Sequence, residues 1–140
     1  PKITTMFVIQ NSEGQVLLFQ RYRQPFIGKW ALPNGKVHIS DSSVAESARR
    51  EAGEKLGVSE TDFTHAGECY IRTMSEDRVV MSTLVHVFKF NSDDIVLNDR
   101  LRWVKPHRLN EYELAPAVEQ IVARTFFNDP YFFEEFEENW

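Results

Sequence analysis

Residues 41–57 specify a helix with both ends marked, and strand-forming runs lie on either side of it. Asp41, Ser42 and Ser43 are all good N-cap residues, and Gly57 is a C-terminal stop. Between them Val44, Ala45, Ala48, Ala52 and Leu56 recur every three or four residues, which is one apolar helical face. Upstream, residues 2–10 (KITTMFVIQ) and 15–21 (QVLLFQR) read as strands. The turn residues Asn11-Ser12-Glu13-Gly14 join them into a hairpin. Residues 29–32 (KWAL) make a short strand stopped by Pro33-Asn34-Gly35. Downstream, residues 70–74 and 79–90 are strand-like and separated by the polar turn 75–78. Residues 101–105 (LRWVK) form another short strand ended by Pro106, and 115–127 reads as a second helix. A helix enclosed by strands in sequence predicts an α/β (α+β) class with a mixed sheet.

A chain of 140 residues is the size of one domain, expected here to span 1–140 with a separate tail at 126–140. With 42% hydrophobic and 26% charged residues it has the balance of a soluble globular protein. No apolar run approaches the roughly 18 residues of a membrane span, and no basic-then-apolar start reads as a signal peptide. The sequence starts at Pro1 rather than Met, which leaves room for preceding residues. One cysteine, Cys69, excludes an internal disulfide framework and a Cys-based zinc site, and fits a buried strand residue in a cytoplasmic protein. The net charge of −5 is concentrated in the tail, where Asp129, Glu134, Glu135, Glu137 and Glu138 meet no Lys or Arg. Removing those five from the 21 acids leaves 16 against 16 Lys and Arg. A neutral body provides no basic track for long nucleic acid but is compatible with a small anion screened by a metal.

The polar residues of the first helix also align. Glu46, Arg50 and Glu54 form one i, i+4 row, and Glu51 lies one turn before Lys55. On helix pattern alone this is a solvated face of ion pairs, each worth about 0.2–0.5 kcal/mol. The flanking residues change that reading. A Trp-Ala-Leu-Pro-Asn-Gly turn precedes the helix, and Arg50-Glu51-Ala52-Gly53-Glu54-Lys55-Leu56-Gly57-Val58 closes it. This resembles the Nudix hydrolase family (MutT-like), whose signature is G-x5-E-x7-R-E-U-x-E-E-x-G-U. Gly35 matches its first Gly, Asp41 stands at the first Glu, Arg50 and Glu51 match the central pair, and Glu54, Gly57 and Val58 match the end. The hairpin, the 30–33 stretch, and Trp103-Val104 followed by a helix around Pro116 extend the resemblance over residues 2 to about 125. It departs in four places within the box: Lys55 replaces the second paired glutamate, Ala52 the bulky aliphatic, Asn34 the preceding Gly, and the spacing to Arg50 is one residue long. Before Trp103, where members often carry a further acid, only Asp99 is close.

The resemblance implies an α/β/α sandwich and hydrolysis of a nucleoside diphosphate linked to a further group, with Mg²⁺ or Mn²⁺ neutralising phosphate charge. It makes Glu51 a ligand or general base, Glu54 a ligand, Arg50 the residue that orients them, and the Asn34 carbonyl a third ligand. Mg²⁺ manages with one or two carboxylates, so one ion remains feasible. Lys55 falls where a second metal is commonly held: it either contacts phosphate as a point charge or neutralises Glu51. Substrate-binding candidates are His38 in the loop, Arg21 and Arg23 at the end of the second strand, and Phe26 and Tyr112 as stacking rings. Each also has an ordinary reading as a loop, strand-edge or core residue. Val118 falls where MutT-type members carry an Asn that reads oxidised guanine, which argues against that substrate. The tail aromatics Phe126, Phe127, Tyr131, Phe132, Phe133, Phe136 and Trp140 are expected to fold back onto the body, a homodimer contact being the alternative. Two functions emerge: a small-nucleotide pyrophosphohydrolase, or a catalytically weak or inactive nucleotide-binding sensor on the same fold.

Overall fold

The computed structural model describes residues 2–59, 62–126 and 131–140. Eight strands form one mixed sheet: β1 (Lys2–Gln10), β2 (Val16–Gln20), β3 (Trp30–Ala31), β4 (Asn34–Lys36), β5 (Thr64–Ser75), β6 (Arg78–Asn91), β7 (Leu101–Val104) and β8 (Phe132–Asn139). Helix α1 (Val44–Leu56) follows β4, and α2 (Val118–Phe126) precedes β8. The strands run in the order β3-β2-β1-β6-β5-β8, with β4 paired to β1 and β7 to β2. Two pairings are parallel, β1 with β6 and β5 with β8.

Local chemistry accounts for the turns. Gly14 has φ +76°, and the Asn11 carboxamide oxygen accepts from the backbone N–H of Glu13 and Gln15, which closes the β1–β2 connection. Glu76 and Asp77 both take positive φ, the geometry that suits a two-residue hairpin between β5 and β6.

Alternation along the strands divides the core in two. Phe7, Ile9, Leu17, Phe88 and Phe90 face α1 and meet Ala48 and Ala52. Val8, Leu18, Val85 and Val87 face the other way and meet Ile121 and Val122 of α2. A sheet between two helices is the expected α/β/α sandwich. Neither helix is long and apolar enough to cross a membrane.

Three local expectations change. Residues 33–35 do not end the sheet: Asn34–Lys36 pair antiparallel with Thr4–Met6, and Phe7 N–H donates to the Pro33 carbonyl. The Pro removes a donor, yet its carbonyl still serves the neighbouring strand. The β5–β6 hairpin is longer than anticipated, since the strand starts at Thr64 rather than residue 70. The last helix starts at Val118 rather than 115, because Ala117 is left-handed (φ +68°) and Ala115 N–H is committed to the Trp30 carbonyl. The end of the expected helix at Phe127 lies outside the described residues.

The tail does fold back, and it does so as a strand. β8 adds to β5 with Phe132 and Phe136 packed on the α2-side core, while Phe133 and Trp140 stay exposed. Gly67 permits the approach, since a Cβ there would lie 2.6 Å from the Phe132 ring. The inward-facing positions of β8 also include Glu138, whose Oε1 is buried with no hydrogen-bond partner. Burial pushes its carboxyl up to about 7. The folded state therefore binds this proton more tightly than the unfolded chain, and stability falls as pH rises from about 4.5 through about 7. Glu138→Gln should melt higher than the unmodified protein at pH 8 and match it at pH 4. Equal melting temperatures at both values would show that the carboxyl is solvated.

Candidate active site

The N-terminal half of α1 is fastened to the preceding loop by one carboxylate. Ser43 caps the helix, its Oγ accepting from Glu46 N–H at 3.1 Å. Asp41, only 6% exposed, accepts from Arg50 Nε at 3.0 Å and Nη2 at 2.9 Å, from His38 N–H at 2.8 Å, and from Ser47 Oγ. The Arg50 guanidinium, with Ser47 after it, holds the Asp41 carboxyl well below the usual range, and Asp41 in turn raises Arg50. Arg50 also donates to the Lys36 carbonyl at 3.0 Å, to Glu51 Oε1 at 3.0 Å and to Glu54 Oε2 at 3.4 Å. Its donors thus serve the loop and the glutamates rather than Glu46, as helix spacing alone would have it.

Glu51 is not on a solvated face. Its side chain is 5% exposed and is pressed against Gly35, where an added Cβ would come within 2.2 Å of its carboxyl carbon. Gly35 is therefore a packing requirement: its missing side chain is the space that Glu51 occupies. Gly35→Ala should cost about 1–3 kcal/mol by overpacking and displace Glu51. A denaturation midpoint unchanged from the parent protein would refute the close approach.

The remaining Glu51 oxygen, Oε2, is buried and has no aligned hydrogen bond. The Lys55 ammonium stands 3.2 Å from it and donates to the Asn34 carbonyl at 3.0 Å. Glu54 is 62% exposed beside the same cluster, and the Lys55 side chain is 56% exposed. Two carboxylates and a backbone carbonyl are hard oxygen donors, so the chemistry of the set fits a single Mg²⁺ or Mn²⁺. The orphaned Oε2 gives it an anchor. Lys55 now lies between Oε2 and the Asn34 carbonyl, on a flexible stem that reaches solvent.

The structure brings Asn34, Arg50, Glu51, Glu54 and Lys55 together; of the other candidates, His38 is tied to this cluster through Asp41, while Arg21, Arg23, Phe26 and Tyr112 make their contacts elsewhere. His38 is exposed in the loop, linked through its backbone to Asp41. Arg21 is half-buried: its Nε donates to the Pro25 carbonyl at 2.7 Å, and burial lowers it from the ordinary arginine value. Phe26 sits in the same loop at φ +63° with Lys29 over its ring, and Arg23 is exposed over Tyr22. Tyr112 packs edge-on to Trp30, with Arg102 over both rings. It lines a cavity of about 420 Å³ with Arg102, Trp103, Lys105 and Arg108. A second cavity, about 440 Å³, is lined by Gln10, Thr64, Lys89 and Phe126 among others. Neither is lined by β4 or α1. Sequence reasoning missed Ser47 and the Lys36 carbonyl. A serine one turn into a capped helix, opposite an acid six residues back, is a faint signal for the first, and a backbone oxygen leaves none.

Solved structures share this arrangement of elements. The MutT protein of Bacillus halodurans superposes with a TM-score of 0.80 at 22% identity, covering 98% of this chain and 90% of that one. The Nudix domain of Shewanella oneidensis NrtR, solved with ADP ribose, gives 0.75 at 18%, covering 91% and 87%. The MutT protein of Methanosarcina mazei gives 0.66 at 25%, covering 92% and 94%. These likenesses speak for the fold. The family profile described as NUDIX domain matches residues 1–125, which takes in the hairpin, the Gly35 loop, the whole of α1 and all but the last residue of α2. On that match the chain belongs to the Nudix family.

Proposed function

We propose that the protein is a cytoplasmic pyrophosphohydrolase acting on a small nucleoside di- or triphosphate derivative, with residues 1–140 working as one domain. The observation that carries this reading is the buried Glu51 carboxylate, with Oε1 held by Arg50 and Oε2 left without an aligned donor. Arg50, fixed by Asp41, orients Glu51 and reaches Glu54. Glu51, Glu54 and the Asn34 carbonyl would hold one Mg²⁺ or Mn²⁺, which supplies charge neutralisation on the phosphates. Glu51 Oε2, once Lys55 swings off it toward a phosphate oxygen, would either ligate the ion or take a proton from the attacking water. Tyr112 and Arg102 offer a ring and a cation to the nucleoside portion; Arg21, Arg23, Phe26 and His38 are the loop candidates.

A second reading, a sensor that binds a nucleotide without turnover, is favoured by Lys55 standing between Glu51 and the Asn34 carbonyl. The Nudix domain of Shewanella oneidensis NrtR, solved with ADP ribose, has this fold. Product release should be screened across nucleoside triphosphates, dinucleotides and nucleotide sugars, ADP-ribose included, with Mg²⁺ and Mn²⁺. Turnover of one class supports the enzyme. Tight binding of a nucleotide with no turnover under either metal would replace it with the sensor.

A further inference from the structure

On the α1-facing side of the sheet, two strands from Gly35 through Thr5, three side chains of β5 and β6 converge. His65 and Glu68 lie on β5 and His86 on β6. His86 Nδ1 is 3.2 Å from His65 Nε2 and 3.9 Å from a Glu68 oxygen, and one donor atom from each residue falls within 4.8 Å of the others. All three are partly buried.

Simple alternation would put His65 and Glu68, three residues apart, on opposite faces. A register shift between His65 and Gly67 brings them to the same face. Their orientation is braced on both sides. The His65 ring stacks on Phe88 at 4.6 Å with only 12° between the planes. The Tyr131 hydroxyl donates to Glu68 Oε1 at 2.5 Å and lies 3.4 Å from His65 Nε2.

We propose that His65, Glu68 and His86 form a binding site for a first-row transition-metal dication, zinc foremost, separate from the Nudix box. Four donors around zinc at 2.0–2.1 Å lie about 3.3–3.4 Å apart, so the 3.2 and 3.9 Å separations need only small side-chain adjustment. Two imidazoles and a carboxylate suit zinc, nickel or copper and are a poor set for Mg²⁺, which keeps the site chemically distinct from the all-oxygen donors around Glu51. Tyr131 acts by holding Glu68, the supporting role that second partners of metal ligands usually have. The fourth position is left to water or to an exogenous ligand. Because Tyr131 immediately precedes β8, a bound ion would tie the β5–β6 hairpin to the C-terminal strand.

Metal-stripped full-length protein should be titrated with Zn²⁺ by calorimetry and with Co²⁺ by visible absorption. The expected result is one equivalent bound, with the intense visible bands of four-coordinate cobalt and shifts of the His65 and His86 ring resonances in the unmodified protein. His65→Gln and His86→Gln should each weaken Zn²⁺ binding at least 100-fold, while Glu54→Gln leaves it unchanged. If either histidine variant fails to fold, the ring-resonance shifts of the unmodified protein still decide. No Zn²⁺ binding, binding without movement of those resonances, or binding lost in Glu54→Gln would overturn the proposal.

Discussion

Replacing Glu51 by Gln is expected to reduce turnover by at least about 10²-fold, the lower end of what a positioned general base contributes. The amide keeps the shape that packs against Gly35 and retains an oxygen for Arg50. It loses the charge that would hold a dication and the basicity that would accept a proton. It also points an amide at Lys55, where the carboxylate now lies 3.2 Å away. Since Glu51 is buried rather than on an open face, a modest fall in melting temperature should accompany the loss of activity, without unfolding. Glu54→Gln should also abolish activity, but with melting temperature unchanged, because that side chain is mostly in solvent. Near-parental turnover with ordinary metal dependence in either variant would remove that residue from the proposed chemistry.

Lys55→Glu is expected to tighten Mg²⁺ or Mn²⁺ binding by about ten- to a hundredfold, roughly 1.4–2.8 kcal/mol. The substitution changes the local charge by two units at a point 3.0 Å from the Asn34 carbonyl and 3.2 Å from Glu51 Oε2. At such distances even a solvent-moderated interaction is several times thermal energy. Lys55 is exposed but its partner Glu51 is buried, so Lys55→Glu sets a second carboxylate beside a buried one, and the metal-free melting temperature should fall and recover when metal binds. The direction of any change in hydrolysis is informative. A rise means that Lys55 holds back an intact site; a fall alongside tighter metal binding means that Lys55 contacts substrate phosphate. Equal metal affinity in the two proteins, by calorimetric titration, would place Lys55 outside the metal site.

Much of the fold was legible because its signals are local. The caps at Ser43 and Gly57 bound α1 as expected, and alternation in β1 and β6 marks which residues face each helix. The Nudix resemblance rests on the same kind of information, side chains at set separations along one helix and its preceding loop. Less legible were β4 and β8. β4 (Asn34–Lys36) overlaps Pro33-Asn34-Gly35, which look like a turn until β1 offers them hydrogen bonds. β8 is so acidic that only the inward positions of Phe132 and Phe136, and the absence of a side chain at Gly67, explain its pairing with β5.

Helix periodicity determined that Arg50, Glu51, Glu54 and Lys55 lie near one another on α1. Only the tertiary structure decided what each of them does there. Arg50 turns to Asp41 because the β4–α1 loop brings that carboxylate back over the helix, and Glu51 is buried because Gly35 leaves room for it. Lys55 meets the Asn34 carbonyl because β4 runs along β1 beside the helix. The His65–Glu68–His86 cluster depends on tertiary structure more completely. A one-residue register shift and a cross-strand pairing assemble it, and neither leaves a periodic trace in the sequence.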